Sequence, residues 1–438
     1  MDILCSIITL LLGTAVYLRD KKIYNVGAVF GFFWGIILLL SSLSLFGLYK
    51  SSNRTYLFIM TGVICFCIGE IVGEKFTFSL GYKKISLLKR NKNAVNVKMF
   101  YFLFFICLIC LLPDIKMILY FIQNGFDLNR IYYSIAISSA DAKSGILNVS
   151  FGSNMQQIIK TYIGYPLLYL LISISLLCFM KNREKKYILC MLFLTMIRFL
   201  ADLKRTLLVM LILMFVFFFI LLKDAQNHRY SDYKVLNKFK KRYIFIGLCG
   251  FVFIYIIISK LRRGNNEANF SFLKNLYFYY IGCVKYFDLR IDSWSELNIS
   301  HTLGFFSLRG LVSPICSTLE QMGVNIKLFT DASDALASLH NIVYSVADDQ
   351  RFNSYATAFY EFYIDGGIIG IILGSAIFGW LGGKYYSDYK NTHSLMSCLK
   401  LGYFISIFLL FSMLQISSII NYLIWPLILC PIIFKRIE

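Results

Sequence analysis

Residues 351–374, RFNSYATAFYEFYIDGGIIGIILG, join a polar, aromatic segment to the beginning of an apolar run. The polar segment contains Arg351, Asn353 and Tyr355, and the junction contains Asp365 followed by two glycines. Charged and amide side chains are rare beside lipid, where they are usually paired or functional. The stretch therefore predicts a membrane helix whose entry carries polar side chains with a function.

The whole chain has the composition of an integral membrane protein. Of its 438 residues, 58% are hydrophobic and 16% are charged, whereas a soluble domain is about half apolar and about a quarter charged. We therefore expect an all-α polytopic membrane protein, with residues 1–438 forming a single membrane domain. Its apolar runs predict eleven spans, at residues 3–18, 24–48, 55–73, 99–112, 162–180, 187–200, 206–222, 243–259, 364–383, 399–416 and 418–434.

The distribution of Lys and Arg predicts the orientation of these spans. The loops after the odd-numbered spans, beginning with RDKK at 19–22, carry Lys and Arg about three times as densely as the others, as cytoplasmic loops do. The N-terminus is then outside and the C-terminus cytoplasmic. Two long segments, 113–160 and 260–363, lie outside. The same bias explains the net charge of +20, and no nucleic-acid-binding motif is present, so no nucleic acid partner is expected.

Arginines lie at the predicted outer ends of several spans. Arg198 and Asp202 are four residues apart, on one helical face, and Arg205 lies in the tight turn that follows. Arg262 and Arg263 follow the eighth span. A guanidinium binds phosphate through two parallel hydrogen bonds, so these arginines are candidate ligands of a phosphate at the outer face. The alternative is that they anchor helix ends at the membrane boundary.

The large outer segment, 260–363, has the composition of a carbohydrate-binding region rather than of a polyanion-binding one. It contains nine Lys and Arg and ten Asp and Glu residues, among many aromatic and amide side chains. Within it, FLKNLYFYYIGCVKYFDLRI at 272–291 has apolar residues at helical spacing and predicts an amphipathic helix lying at the membrane interface. Arg290 at its end and Arg351 are further candidates for phosphate binding.

A few side chains of this segment are candidates for acid–base chemistry. His301 and His340 are the histidines outside the predicted cytoplasmic loops, and His340 is the preferred general base, with a solvated loop residue as the alternative. Asp365 is a candidate catalytic carboxylate, or the N-cap of the helix that follows it. No Cys or His spacing typical of a metal site occurs, so neither a metal nor a cofactor is expected. Cys283 and Cys316 both lie in this segment and could pair, although nothing in the sequence shows that they do.

The stretch around Asp365 resembles the signature of bacterial oligosaccharide repeat-unit polymerases, which build O-antigen or capsule. Two further segments, LKRTLLVM at 203–210 and YFYYIGCVKYF at 277–287, resemble other parts of that family, as do the chain length, the number of spans and one long outer loop. The positions that match the signature are Asn353, Tyr355, Thr357, Phe359, Tyr363, Asp365, Gly367 and Gly370.

The resemblance implies a membrane glycosyltransferase of GT-C-like fold, in the bacterial inner membrane. It would polymerise undecaprenyl-pyrophosphate-linked repeat units at the periplasmic face without a metal, and its outer loop at 260–363 would contain short helices and the active site. Membrane lipid and a chain-length regulator protein are expected partners. His340 or Asp365 would be catalytic. The residues expected to bind the substrate and its pyrophosphate are Arg198, Arg205, Arg262, Arg263, Arg290, Arg351, Asn353 and Tyr355.

Two alternatives remain open at this point. O-antigen ligases carry a His-Asn pair before a late membrane helix, and His340-Asn341 resembles it, although it lies further upstream of Gly366 than in that family. A flippase or another transporter of lipid-linked oligosaccharides is the second alternative. Transporters of that kind are typically built from internal repeats, and none is evident in this sequence.

Overall fold

The computed structural model describes residues 1–75, 92–123, 153–202, 206–227, 272–297, 299–352, 357–413 and 420–437. These residues are mostly helical. They form two compact units. The first consists of the described parts of Met1–Asn91 and Leu273–Asn421, and the second of the described parts of Lys92–Phe272 and Tyr422–Glu438.

The helices are numbered in chain order. They are α1 (Asp2–Asp20), α2 (Val26–Ser42), α3 (Asn53–Lys75), α4 (Val97–Cys110), α5 (Leu112–Gln123), α6 (Asn154–Ile159), α7 (Tyr165–Asn182), α8 (Lys185–Asp202), α9 (Thr206–Asn227), α10 (Phe272–Asp292), α11 (Arg309–Gln321), α12 (Lys327–Asn341), α13 (Ala358–Thr392), α14 (Leu395–Ser412) and α15 (Ile420–Ile433). The strands are β1 (Lys92–Val95), β2 (Tyr344–Ala347), β3 (Gln350–Phe352) and β4 (Phe434–Ile437). They form two antiparallel pairs, β1 with β4 and β2 with β3.

Several helices have the length and composition of membrane spans, as expected for a membrane-embedded protein. Within the described residues, five helices qualify, and six if the pair α4 and α5, bent by 56°, forms one span. Three further apolar helices, α2, α14 and α15, are shorter. Described helices overlap ten of the eleven predicted runs, and the run at 243–259 lies outside the described residues. The total of eleven spans stays a prediction.

Glycines hold α3 and α13 in close contact along their length. A Cβ added at Gly379 would lie 2.1 Å from the carbonyl oxygen of Phe66, and one at Gly383 would lie 2.0 Å from that of Glu70. On the facing helix, a Cβ at Gly73 would lie 2.1 Å from the carbonyl oxygen of Trp380. Small residues four apart let two helix backbones approach in this way, as in many membrane-helix pairs. The pair α3–α13 is therefore the centre of the first unit.

Aromatic side chains fill the space beside this helix pair. The rings of Phe30 and Phe66 lie 4.1 Å apart between centroids, and those of Trp34 and Phe359 lie 4.9 Å apart. Phe408 of α14 stacks on Phe66 at 5.2 Å. Such pairs stabilise a core beyond the effect of apolar burial alone. The side chains contributed by α2, α3, α13 and α14 thus form one continuous core.

An ion-pair cluster joins one end of α1, α3 and α13. Arg19 Nη2 lies 2.6 Å from a carboxylate oxygen of Glu74 and 3.1 Å from one of Glu70, which is fully buried. Lys390 Nζ lies 2.9 Å from Glu74 and 3.2 Å from Asp20. Because the C-terminal ends of the three helices meet here, the helices run in the same direction. The alternation of predicted spans likewise gives the first, third and ninth spans one direction, while the number and order of the spans between them stay a prediction.

In the second unit, polar side chains are paired near the start of the long apolar helix α7. Lys160 Nζ donates to Asp114 Oδ1 at 2.9 Å, and Trp425 Nε1 donates to the carbonyl oxygen of Tyr162 at 3.2 Å. The helical segment from Met155 to Lys181 qualifies as one membrane span. These contacts attach α5 and α15 to its beginning.

Candidate active site at the break of a long helix

Helix α13 is interrupted at residues 365–367, which we call the helix break. Thr357 begins the helix as its N-cap, with its side chain accepting from the backbone N–H of Tyr360. The backbone leaves helical geometry at Gly366 (φ −169°, ψ 30°) and Gly367 (φ 59°, ψ −140°). The positive φ at Gly367 favours glycine, because other residues carry a Cβ that clashes in that region. Gly367 is therefore the residue whose conformation at the break favours glycine, whereas the extended φ of Gly366 is open to any residue.

A loop formed by residues 301–308 binds directly to the helix break. Asp365 accepts hydrogen bonds from Thr302 Oγ1 at 2.6 Å and from the backbone N–H groups of Phe306 and Ser307 at 3.0 Å each. The backbone carbonyl oxygen of Asp365 accepts from the N–H of Leu303 at 2.9 Å. Asp365 as a whole is 8% exposed. Both ends of the loop are thus fastened to one residue of α13.

The N-cap interpretation of Asp365 is wrong. The part of α13 before the break begins at Ala358, seven residues before Asp365, with Thr357 as its cap. The part after the break begins beyond the non-helical Gly366 and Gly367, so Asp365 does not adjoin either helix start. The carboxylate instead accepts N–H groups from the loop that precedes α11. The sequence pattern, Asp before glycines at an apolar run, is shared by a helix start and by a helix break, so only the structure separates the two.

An aromatic cluster consisting of Trp294, His301 and Tyr363 lies beside the helix break. The rings of Trp294 and His301 are stacked, with centroids 5.9 Å apart and planes 14° apart. The ring of Tyr363 stands edge-on to His301, with centroids 6.0 Å apart and planes 86° apart. His301 Nδ1 lies 3.1 Å from the carbonyl oxygen of Ile364. The histidine is exposed, so its ring is held in place while it remains accessible.

Arg290 holds the C-terminal end of α12, the helix that carries His340. The side chain is fully buried, and Nη2 donates to the carbonyl oxygens of Ser338, Leu339 and Ile342 at 3.0–3.1 Å. The last carbonyl groups of a helix have no partner within the helix and favour a cation. Arg290 therefore positions the end of α12.

Two aromatic rings also lie beside the guanidinium of Arg290. The guanidinium lies 5.0 Å from the ring centroid of Tyr286 and 4.8 Å from that of Tyr344, and it donates to the Tyr286 hydroxyl. Burial raises the pKa of Tyr286 to about 12, so its hydroxyl stays protonated and accepts from Arg290. A contact between Arg290 and a pyrophosphate would require these hydrogen bonds to break.

Helix α10 is present as predicted, but most of its side chains are buried in the first unit rather than exposed as on a helix lying flat on an interface. Asp288 fixes it to the start of α3, since its carboxylate accepts from Ser52, Thr55 and Lys285. Burial opposes ionisation of Asp288, but these hydrogen bonds outweigh burial and hold its pKa below the ordinary value.

The hairpin of β2 and β3 carries Arg351 on its exposed face. Tyr344 and Phe352 are paired across the two strands, and Ser345 is paired with Arg351. The Phe352 side chain packs where Gly282 of α10 leaves room for it. Because side chains alternate along a strand, Arg351 points away from Phe352, and it is exposed. It is thus the candidate phosphate ligand that the first unit presents at its surface.

The remaining predicted site residues divide into two groups. Arg198 lies in the second unit, with its guanidinium 3.7 Å from the ring centroid of Tyr165. The others lie outside the described residues, or have a side chain that does: Arg205, Arg262, Arg263, Asn353, Tyr355 and the side chain of His340. Cys283 and Cys316 are both free thiols. Within the described part of the chain, no group of three or more His, Cys, Asp or Glu side chains is arranged to hold a metal ion.

Among the predicted residues, the structure places Asp365 at the helix break. It brings His301 beside the break, although the sequence favours His340 over His301 as the general base. The sequence contains one feature that could have pointed to His301: in NISHTLG at 298–304, the histidine and a threonine come shortly before Gly304. In the structure this glycine adopts φ 94° in the loop that binds the helix break. Comparisons with protein-family models, curated proteins and solved structures give no match.

Proposed function

We propose that the protein is a membrane glycosyltransferase that polymerises undecaprenyl-pyrophosphate-linked oligosaccharide repeat units at the periplasmic face of the bacterial inner membrane. The observation that carries the proposal is the helix break. It lies inside the stretch that resembles the polymerase signature, and it gathers a carboxylate, an exposed histidine and two aromatic rings at one end of a long apolar helix.

The position of the break supports a site at the outer face. The ion-pair cluster of Arg19, Glu74 and Lys390 lies at the C-terminal end of α13, and the helix break lies near its N-terminal end. If the basic loops are cytoplasmic, as the distribution of Lys and Arg favours, the break faces the periplasm. The N-terminus is then periplasmic and the C-terminus cytoplasmic.

The reaction joins two lipid-linked glycans. A hydroxyl at the non-reducing end of a new repeat unit attacks the anomeric carbon of the growing chain. The bond from that carbon to pyrophosphate breaks, and the electron pair leaves with undecaprenyl pyrophosphate. Cationic donors aimed at the departing oxygens stabilise the transition state. We assign this role to Arg351 in the first unit. Arg205, Arg262 and Arg263 lie outside the described residues and stay sequence-based candidates for phosphate binding.

Aromatic and amide side chains would bind the sugars. Trp294 and Tyr363 provide ring faces and edges beside the break, and Asn353 and Tyr355 lie between the hairpin and α13 in the sequence. Arg290 serves the site indirectly in this proposal, because it holds the end of the helix on which His340 lies.

Deletion of the gene tests the proposal in cells. Loss of a polymerase leaves single repeat units on the cell surface, whereas loss of a ligase leaves none. We expect single units, restored to long chains by the wild-type gene. We also expect Arg351→Ala to reduce long-chain product without loss of protein from the membrane, with Lys327→Ala, also in the first unit, as the matched control. A surface glycan of normal length in the deletion strain would contradict the proposal.

A further inference from the structure

The hydrogen bond of His301 determines which ring nitrogen carries the proton. Nδ1 lies 3.1 Å from the carbonyl oxygen of Ile364. A carbonyl oxygen only accepts hydrogen bonds, so Nδ1 must be the donor. In the neutral ring Nε2 is then without a proton and has a free electron pair. A backbone carbonyl that fixes the tautomer in this way orients a histidine for work at its other nitrogen.

The ring is held without any contribution from Nε2. Trp294 stacks on one face of His301, and Tyr363 meets it edge-on. The residue after His301 is fastened to the same carbonyl, since the N–H of Thr302 donates to Ile364 at 3.2 Å, and its side chain donates to Asp365. The histidine is thus positioned by stacking and by backbone, as a catalytic group requires.

Nε2 faces the open side of the helix break. A Cβ built on Gly367 would lie 3.5 Å from Nε2, and one built on Gly366 would meet no atom within 4 Å. A molecule that rests against the two glycines would therefore reach the basic nitrogen. The oxygens of Asp365 are less suited to this task, because they accept three hydrogen bonds and are nearly buried.

We propose that the open face at Gly366 and Gly367 is the acceptor subsite, and that His301 is the general base of the transfer. This inference rests on the proposed function. Nε2 takes the proton of the acceptor hydroxyl while its oxygen forms the glycosidic bond. The bond between the donor's anomeric carbon and pyrophosphate breaks, and its electron pair leaves with the lipid pyrophosphate. The imidazolium then releases its proton to water, which the exposed ring contacts.

Two substitutions of His301 distinguish a role as general base from a purely structural role. The amide nitrogen of Asn occupies the place of Nδ1, so His301→Asn keeps the donor to Ile364 and removes Nε2. His301→Ala removes both. His393→Asn is the matched control, because His393 ends α13 at φ 45°, a conformation that Asn tolerates.

The test uses full-length protein in liposomes, with the lipid-linked repeat unit extracted from cells that lack the gene. We expect His301→Asn to lower the polymerisation rate about 10²- to 10⁴-fold and to abolish the acidic limb of its pH profile, with unchanged thermal stability. Imidazole should restore part of the rate of His301→Ala. His393→Asn should retain wild-type activity.

Three outcomes overturn part of the account. A His301→Asn rate within about threefold of wild type, or an unchanged acidic limb, rejects the base assignment while the proposed function stands. A His301→Asn protein that is both slow and unstable, with no imidazole rescue of His301→Ala, assigns His301 to structure alone. A wild-type protein that forms no polymer from this substrate overturns the proposed function and the inference with it.

Discussion

Replacement of Asp365 tests how the loop at 301–308 is held against α13. The carboxylate accepts two backbone N–H groups and one hydroxyl. A hydrogen bond to a charged group contributes about 1.5–3 kcal/mol, and each buried donor left without a partner costs about 1–3 kcal/mol. Asp365→Ala removes all three bonds, and water reaches part of the loop once it opens. We therefore expect it to make loop opening easier by about 3–6 kcal/mol.

Asp365→Asn is the more informative substitution. Asn keeps one acceptor oxygen but presents an N–H₂ group to the second backbone donor, so one bond is lost, at a cost of about 1.5–3 kcal/mol. This corresponds to a roughly 10- to 150-fold change in the opening equilibrium. For Asp365→Ala the change is about 10²- to 10⁴-fold. A helix N-cap, in contrast, tolerates Asn as well as Asp.

Hydrogen exchange measured by mass spectrometry on the full-length protein reads this opening directly. We expect peptides that cover Phe306 and Ser307 to exchange faster in the order wild type, Asp365→Asn, Asp365→Ala. Asp334→Asn, an exposed carboxylate of α12, should leave their exchange unchanged. Exchange within twofold of wild type in Asp365→Ala would refute the anchoring role, and equal rates for Asp365→Asn and wild type would show that the hydrogen bond to the second carboxylate oxygen does not hold the loop.

Three further predictions concern stability. Gly379→Ala places a Cβ against the backbone of α3 and should lower the free energy of unfolding by about 1–3 kcal/mol, measured by thermal unfolding in detergent. Arg290→Lys cannot supply the same set of donors and should cost about 2–4 kcal/mol, with faster hydrogen exchange at residues 338–342. Asp288 has a lowered pKa in the folded state, so its contribution is present above the unfolded pKa of about 3.9 and is lost as the pH falls through the folded value. Asp288→Asn should therefore lower thermal stability at pH 7, and its difference from wild type should begin to shrink as the pH falls below about 4.

Each of these predictions has a control and a contradicting result. Ile377→Ala, at an exposed position of α13, should be nearly neutral, and an equal loss in both variants would remove the helix-contact explanation. Unchanged exchange at the end of α12 in Arg290→Lys would show that other contacts hold it. A stability difference between Asp288→Asn and wild type that stays constant from pH 7 to pH 3 would exclude ionisation of Asp288 as the cause.

Local patterns predicted the helices well because apolar runs and turn residues act within one segment. The run that begins near residue 364 did predict a membrane helix, but the structure begins α13 at Ala358. Thr357 caps it there, and the aromatic residues that follow are helical although they do not resemble a lipid-facing run. The predicted span at 24–48 is longer than α2, which ends at Ser42, because hydropathy includes the apolar residues that follow the helix.

The site was less predictable because its contacts join residues that are far apart in the sequence. Asp365 and Thr302 are 63 residues apart, and Arg290 and Leu339 are 49 apart. The periodicity of apolar residues in a sequence gives no information about such a contact. The arginines illustrate the same limit: Arg290 and Arg351 are both cations in an outer loop by sequence, yet one is buried against carbonyl groups and the other is exposed on a hairpin.

Polymerisation by the purified protein tests the central claim most directly. The full-length chain is reconstituted in liposomes with the lipid-linked repeat unit from cells that lack the gene, and the products are separated by size and weighed by mass spectrometry. The account predicts a ladder of lipid-linked chains, with one undecaprenyl pyrophosphate released for each new linkage. A substrate that remains as single repeat units, with no released carrier, would contradict it.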